Sequence, residues 1–153
     1  MHRYEATVSW QCGSQPFTDN RYSRAHEWRF DGGARVAASS SPHVVPLPMS
    51  DAANVDPEEA LVAATSSCHM LFFLALAAKR GFVVDTYADP AFGVMDKNPQ
   101  GQVAMTRITL RPKIMFSGDH LPSAEEIAAM HHQAHEQCYI ANSLKADIVI
   151  EPA

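Results

Sequence analysis

The segment DPEEALVAATSSCHMLFFLALAAKRG, residues 56–81, decides how the rest of the chain must be arranged. Asp56 can cap a helix, Pro57 suits the first turn because its missing N–H is not needed there, and Glu59 can complete a capping box. Gly81 is well placed to terminate the helix. Because apolar residues occupy nearly every face, we expect a helix from Pro57 to about Arg80 that is surrounded by protein.

The middle of this segment argues against a membrane span. Five consecutive residues there are polar or weakly polar, at the depth where lipid penalises such groups most: Thr65, Ser66, Ser67, Cys68 and His69. The first ten residues alternate as a strand does and lack the regions of a secretory signal. We therefore expect a core helix, no membrane partner and a cytoplasmic protein.

Length and charge limit the organisation and the partners. With 153 residues, 46% of them hydrophobic, the chain suits a single domain spanning residues 1–153. The formal charge is -5, and the basic residues are scattered, so we expect no nucleic acid partner.

The remaining patterns predict an α+β fold. Residues 2–10 alternate as a strand, and Asp31-Gly32-Gly33 predicts a hairpin between residues 25–30 and 34–39. Ser123 and Glu126 predict a second capped helix that ends near Gln137. Four further strands that we expect to extend the same sheet are residues 83–88, 92–96, 103–110 and 113–116. Residues 145–150 are predicted to form the last strand. Strands and helices do not alternate regularly, which favours α+β over a doubly wound fold.

The cysteines leave several kinds of chemistry open. Cys12, Cys68 and Cys138 are an odd number, which disfavours a disulfide framework but permits thiol chemistry or metal binding. Cys68 has mostly apolar helical neighbours, and it needs a nearby cation to be reactive. His69 points roughly 100° away from it around the helix. We therefore interpret His69 as a hydrogen-bonded interior residue.

A second group of candidates surrounds Cys138. His131, His135 and Cys138 share a helical face, and His132 lies beside them. Three interpretations compete: Cys68 and Cys138 meet as a peroxidatic and resolving pair, cysteines and histidines bind zinc, or the histidines form a solvated face.

Two segments together resemble the OsmC/Ohr family of thiol-dependent peroxidases. They are DPEEALVAATSSCHMLFFLALA and AHEQCYIANSLKADI, with a strand-rich middle that contains MTRITLRP. The resemblance spans nearly the whole chain. It implies an OsmC-like fold, in which antiparallel-rich sheets pack around a long buried central helix, and an interwoven homodimer.

The resemblance also implies a set of site residues. Cys68 matches the peroxidatic cysteine, Cys138 the resolving cysteine, and Glu58 the acidic residue ten positions before the first. The family uses an arginine from the region after the first strand, for which Arg24 is preferred over Arg21. Glu58 would hold the guanidinium in place, and Cys12 matches no functional position.

The implied activity is reduction of organic hydroperoxides, with hydrogen peroxide as a further substrate, through a Cys68 sulfenic acid and a Cys68–Cys138 disulfide. A dithiol reductant would restore the thiols, and no metal or organic cofactor is required. Glu58 and Cys68 are roughly 15 Å apart along a helix. Either an arginine lies between them or the carboxylate comes from a second chain, so we expect a dimer with sites at its interface. A Cys/His zinc-binding protein and a hydrophobic-ligand carrier are the alternatives.

Overall fold

The computed structural model describes all residues from Met1 to Ala153 and contains eight strands and three helices. The backbone divides into two compact units, Met1–Ala60 and Leu61–Ala153. The mixture of strands and helices confirms the α+β class. The single-domain organisation stays a prediction.

The first unit contains a three-stranded antiparallel sheet. Its strands are β1 (Ala6–Ser9), β2 (His26–Phe30) and β3 (Arg35–Ala38), in that order. The predicted hairpin between β2 and β3 is confirmed, and Gly33 at its turn has a φ of +93°, which an L side chain rarely adopts. β1 is shorter than predicted.

The second unit contains two further sheets. β4 (Val83–Ala88) pairs with β7 (Lys113–Ser117), and a separate sheet joins β5 (Phe92–Lys97), β6 (Val103–Leu110) and β8 (Asp147–Ile150). Only the β6–β8 pair is parallel. The prediction that β4, β5, β6 and β7 extend the first sheet was wrong. Alternation of apolar residues identifies a strand, but it does not identify the strand's partner.

The helix α1 (Pro57–Lys79) begins and ends where the sequence predicts. The N–H of Asp56 donates to Glu59 Oε1 at 2.9 Å, and the N–H of Glu59 donates to Asp56 Oδ1 at 2.8 Å, which completes the capping box. Beyond the last turn, Gly81 has a φ of +81°.

Only one face of α1 is buried in the single chain. Its buried residues recur at helical spacing: Thr65, His69, Phe73, Leu76 and Ala77. The helix is long and apolar enough to cross a membrane by length and composition alone. Its buried face, however, packs in the core of a folded unit, so α1 is a core helix with apolar surface left open on its other sides.

The core of the second unit lies between α1 and α2 (Ala124–Gln137). The capping box of α2 is present, because Glu126 N–H donates to Ser123 Oγ at 3.1 Å and Ser123 N–H donates to Glu126 Oε2 at 2.9 Å. The buried cluster contains Phe73, Leu76, Ala77, Phe82, Met130 and Ala134. A short helix, α3 (Tyr139–Ser143), follows α2 and was not predicted.

Candidate functional site

Cys138 lies at the junction of α2 and α3. Its backbone leaves the helical region, with φ -64° and ψ 111°, which ends α2. Its Sγ accepts a hydrogen bond from the Ala141 N–H at 3.4 Å and so caps α3. The residue is only 1% exposed. A cysteine in the role of an N-cap carries little sequence signal, because Ser, Thr, Asp and Asn are the usual caps.

The structure brings Cys138 and Cys68 together. Both are free thiols, and Cys68 lies half-buried on α1. Burial raises the pKa of the Cys138 thiol to about 11; the hydrogen bond from the Ala141 N–H opposes this rise, and the neighbouring Cys68 thiol adds to it. Cys138 is therefore a neutral thiol at physiological pH. The two sulfurs are close, and Cys68 is the more exposed of the two.

His69, on α1, is hydrogen-bonded to His131, on α2. Their Nε2 and Nδ1 atoms are 3.0 Å apart, and both residues are almost completely buried. Burial lowers the pKa of each imidazole to about 4, and the neighbouring His131 and His135 add to this effect at His69. The interpretation of His69 as a hydrogen-bonded interior residue is confirmed. Neither ring is charged at neutral pH, so neither supplies the cation that Cys68 needs.

The other two histidines of α2 differ in exposure. His132 lies on the surface with its Nε2 3.3 Å from Glu136 Oε1, whereas His135 Nδ1 is buried without a hydrogen-bond partner. No group of three His, Cys, Asp or Glu side chains is arranged to hold a metal ion.

Arg24 and Glu58 line one cavity of about 480 Å³ in the first unit. Arg21 is not among the lining residues and is exposed. The lining is mostly apolar and aromatic: Val8, Trp10, Phe17, Tyr22, Arg24, His26, Ser39, Ser40, Val44, Pro57 and Glu58. A largely apolar cavity with a few polar groups suits an organic ligand.

Neutral oxygen atoms hold the guanidinium of Arg24. Nη1 donates to the carbonyl of Asn20 at 3.1 Å and to the carbonyl of Tyr22, and Nη2 donates to Asn20 Oδ1 at 2.9 Å. The guanidinium carbon lies 3.7 Å from the centroid of the Tyr22 ring. Glu58 forms no ion pair with Arg24 in the chain, and its Oε2 is buried without a hydrogen-bond partner. The expected contact between them is therefore not made within one chain.

The main chain of Arg24 is held by His26. Trp28 Nε1 can only donate, so His26 Nε2, 3.1 Å away, accepts. The ring proton must then lie on Nδ1, which donates to the Arg24 carbonyl at 2.7 Å. Neither Asn20 nor His26 was predicted from the sequence. The one available signal was an asparagine in a loop, a residue that tolerates a left-handed backbone.

Cys12 lies in the loop after β1, where its Sγ donates to the Gln15 carbonyl at 3.3 Å. It does not line the cavity that contains Arg24.

Solved structures resemble this fold over its full length. An OsmC-like protein of unknown function from Vibrio cholerae is 52% identical, with a TM-score of 0.99 and complete coverage of both chains. An organic hydroperoxide resistance protein from Elizabethkingia anophelis is 14% identical, with a TM-score of 0.70, and 99% of this chain aligns with 94% of that one. For an organic hydroperoxide resistance protein from Bacillus subtilis the identity is 16%, the TM-score 0.66 and the coverage 99% and 98%.

The distant matches show the shared fold alone, whereas sequence shows the family. None of the curated protein sequences matches the chain significantly. The model of the OsmC-like protein family matches residues 50–153, a range that contains α1, both cysteines of the pair and Glu58. The chain therefore belongs to the OsmC-like protein family.

Proposed function

We propose that the protein is a thiol-dependent peroxidase that reduces organic hydroperoxides to alcohols, with hydrogen peroxide as a further substrate. The observation that carries this proposal is the pair of free thiols, Cys68 and Cys138, which are neighbours in the fold but unequal in exposure. The family and the fold shared with two organic hydroperoxide resistance proteins support a redox role.

In the first step, the Cys68 thiolate attacks one oxygen of the hydroperoxide. An S–O bond forms, the O–O bond breaks, and the leaving alkoxide takes a proton to become the alcohol. Cys68 is left as the sulfenic acid. The assignment of Cys68 as nucleophile follows from its exposure, because Cys138 is buried and its raised pKa keeps it as a neutral thiol.

In the second step, the Cys138 thiol condenses with the sulfenic acid. The two sulfurs form a disulfide and one water molecule leaves. A dithiol reductant then restores both thiols by two exchanges and is itself oxidised to a disulfide. The closeness of the two sulfurs favours this capture over further oxidation of Cys68. Because this cycle needs reduced thiols, we place it in the cytoplasm.

A cation must stabilise the Cys68 thiolate, and we assign that role to Arg24. His69 is neutral, whereas an arginine remains charged and can serve the thiolate and the departing oxygen together. Glu58, in the same cavity as Arg24, has a buried oxygen that lacks a hydrogen-bond donor. We propose that it contacts the guanidinium or the hydroperoxide when the site is assembled.

We further propose that the site is completed in a homodimer. Glu58 and Cys68 are ten residues apart on α1, which corresponds to roughly 15 Å of helix. The open apolar surface of α1, including Leu71 at 60% exposed, offers a second copy a surface to cover.

The reaction class can be tested by intact-mass analysis after one equivalent of cumene hydroperoxide. The wild-type protein should lose two hydrogens, and peptide mapping should locate the new disulfide at Cys68 and Cys138. Cys138→Ser should instead gain one oxygen at Cys68, which a sulfenic-acid probe would capture. Cys12→Ser is the control and should match the wild type. Normal turnover in Cys68→Ser, or thiols that stay inert to peroxide, would refute the proposal; inert thiols would favour a ligand carrier.

A further inference from the structure

We propose that Asn20 is a positioning residue that orients the guanidinium of Arg24 and leaves one edge of it free for the reacting groups. This inference rests on the proposed function, in which Arg24 stabilises the thiolate. It adds a residue from the loop between β1 and β2 that lies outside the range matched by the family model.

Asn20 has an unusual backbone conformation. Its φ of +61° is the only positive φ at a residue other than glycine. Its N–H donates to the Phe17 carbonyl at 3.0 Å, which closes the turn. Asparagine is one of the few residues other than glycine that adopt this conformation readily. As a result, the Asn20 carbonyl and its Oδ1 both accept hydrogen bonds from the same guanidinium.

The donors of Arg24 can be counted. A guanidinium has five N–H groups. Both N–H groups of Nη1 are used, by the carbonyls of Asn20 and Tyr22, and Asn20 Oδ1 takes one N–H of Nη2. The second N–H of Nη2 and the Nε–H have no acceptor in the chain. These two groups form one bidentate edge of the guanidinium, the geometry that suits a pair of reacting atoms.

The acceptors that hold Arg24 are neutral, and this matters for the chemistry. A carboxylate in the place of Asn20 would orient the guanidinium equally well, but it would offset the positive charge. The carbonyl and amide oxygens of Asn20 and Tyr22 fix the geometry and do not themselves offset the positive charge. The main chain is fixed as well, because the Arg24 N–H donates to the Met49 carbonyl at 2.7 Å and the Arg24 carbonyl accepts from His26.

The test is a double-mutant cycle in the full-length protein, read as kcat/KM for cumene hydroperoxide. Asn20→Gly keeps the left-handed backbone and the carbonyl but removes Oδ1. We expect it to lower kcat/KM about 10-fold, because the free edge is no longer held in place. In the Arg24→Lys background, where residue 24 has no bidentate fork, Asn20→Gly should change kcat/KM by less than about 2-fold.

Controls separate positioning from folding. Asn98→Gly, the same substitution in the β5–β6 turn, should leave kcat/KM unchanged, and the melting temperature of Asn20→Gly should stay close to that of the wild type. Equal losses from Asn20→Gly in both backgrounds would indicate a general structural role and overturn the inference. The inference would also be overturned if Asn20→Gly kept the kcat/KM of the wild type while Arg24→Lys was strongly impaired. That result would leave the peroxidase proposal standing. An unimpaired Arg24→Lys would remove the role of Arg24 itself.

Discussion

Among single residues, the buried pair His69 and His131 shows how location sets chemistry. Each ring is surrounded by protein, and the His131 ring packs 4.4 Å from the Phe73 ring, centroid to centroid. Burial disfavours the imidazolium and lowers the pKa of each ring to about 4, with Asp89 opposing the shift at His131. The two histidines are therefore neutral, hydrogen-bonded groups of the protein interior.

This pair should make the protein sensitive to acid. The pKa of each ring is about 4 in the fold and 6.5 for the unperturbed group, so the stabilisation is present above pH 6.5 and is lost as the pH falls towards 4. The free energy of unfolding should fall by on the order of a few kcal/mol over this pH range. In His131→Asn, an amide can replace Nδ1 but does not titrate. The free energy of unfolding in urea should therefore differ less between pH 7 and pH 5 than it does for the wild type. His132→Asn, on the surface, is the control; an equal pH effect in all three proteins would contradict the account.

The cysteines should differ in reactivity with an alkylating reagent. Only the thiolate reacts, and a pKa of about 11 leaves very little thiolate at Cys138 near pH 8. We expect Cys138 to react with iodoacetamide at least about 10-fold more slowly in the folded protein than in urea, as measured by peptide mass spectrometry. Cys12, in a loop, provides the internal comparison. Equal rates for Cys138 in both states would mean that the thiol is neither buried nor perturbed.

For the elements, β5 lies close to α1 at Gly93. A Cβ added at Gly93 would lie 2.3 Å from Met105 Sδ and 2.8 Å from Val62 Cγ2. The first of these atoms belongs to a flexible side chain, but the second sits on α1 and cannot move far. The absence of a side chain at residue 93 therefore sets how closely the strand and the helix approach.

Gly93→Ala should consequently destabilise the protein by about 1–3 kcal/mol, as judged by urea unfolding. Val62→Ala removes the methyl group in the way, so the double variant Gly93→Ala/Val62→Ala should lose less than the sum of the two single variants. Gly32→Ala, where an added Cβ meets nothing within 4 Å, is the matched control. Strict additivity would show that the predicted collision does not occur.

For the whole molecule, the main feature is the exposed apolar side of α1, which a second copy of the chain would cover. Leu71 is 60% exposed on a helix of which only one face is buried. We expect a dimer in size-exclusion chromatography with light scattering, and Leu71→Glu should shift it towards monomer. Val103→Glu places the same charge at a residue that is 70% exposed on β6, and should leave the dimer intact. A monomeric wild type at micromolar concentration would contradict the proposed assembly.

Mixed dimers can test whether the subunits share a site. Arg24→Ala and Cys68→Ser should each be inactive alone. If the arginine of one copy serves the cysteine of the other, refolding an equal mixture should restore about a quarter of wild-type activity, since half of the dimers carry one complete site. Mixing without refolding is the control. No recovery, with heterodimers verified by mass, would place the arginine and the cysteine in the same chain.

Local signals in the sequence determined much of this molecule by themselves. Both capping boxes, Gly81 at the end of α1 and the Asp31-Gly32-Gly33 hairpin involve residues a few positions apart, so the chain specifies them without distant contacts. The cysteine pattern likewise indicated the family, and the two thiols that it predicted to meet are close in the fold.

Only the tertiary structure decided the rest, because it depends on groups that are distant in sequence. The partners of each strand follow from packing, and so do the neutral state of His69 and His131 and the raised pKa of Cys138. Burial and neighbouring dipoles set these properties, and neither can be read from residue spacing. The same holds for Asn20, whose left-handed backbone and contact with Arg24 appear only in three dimensions.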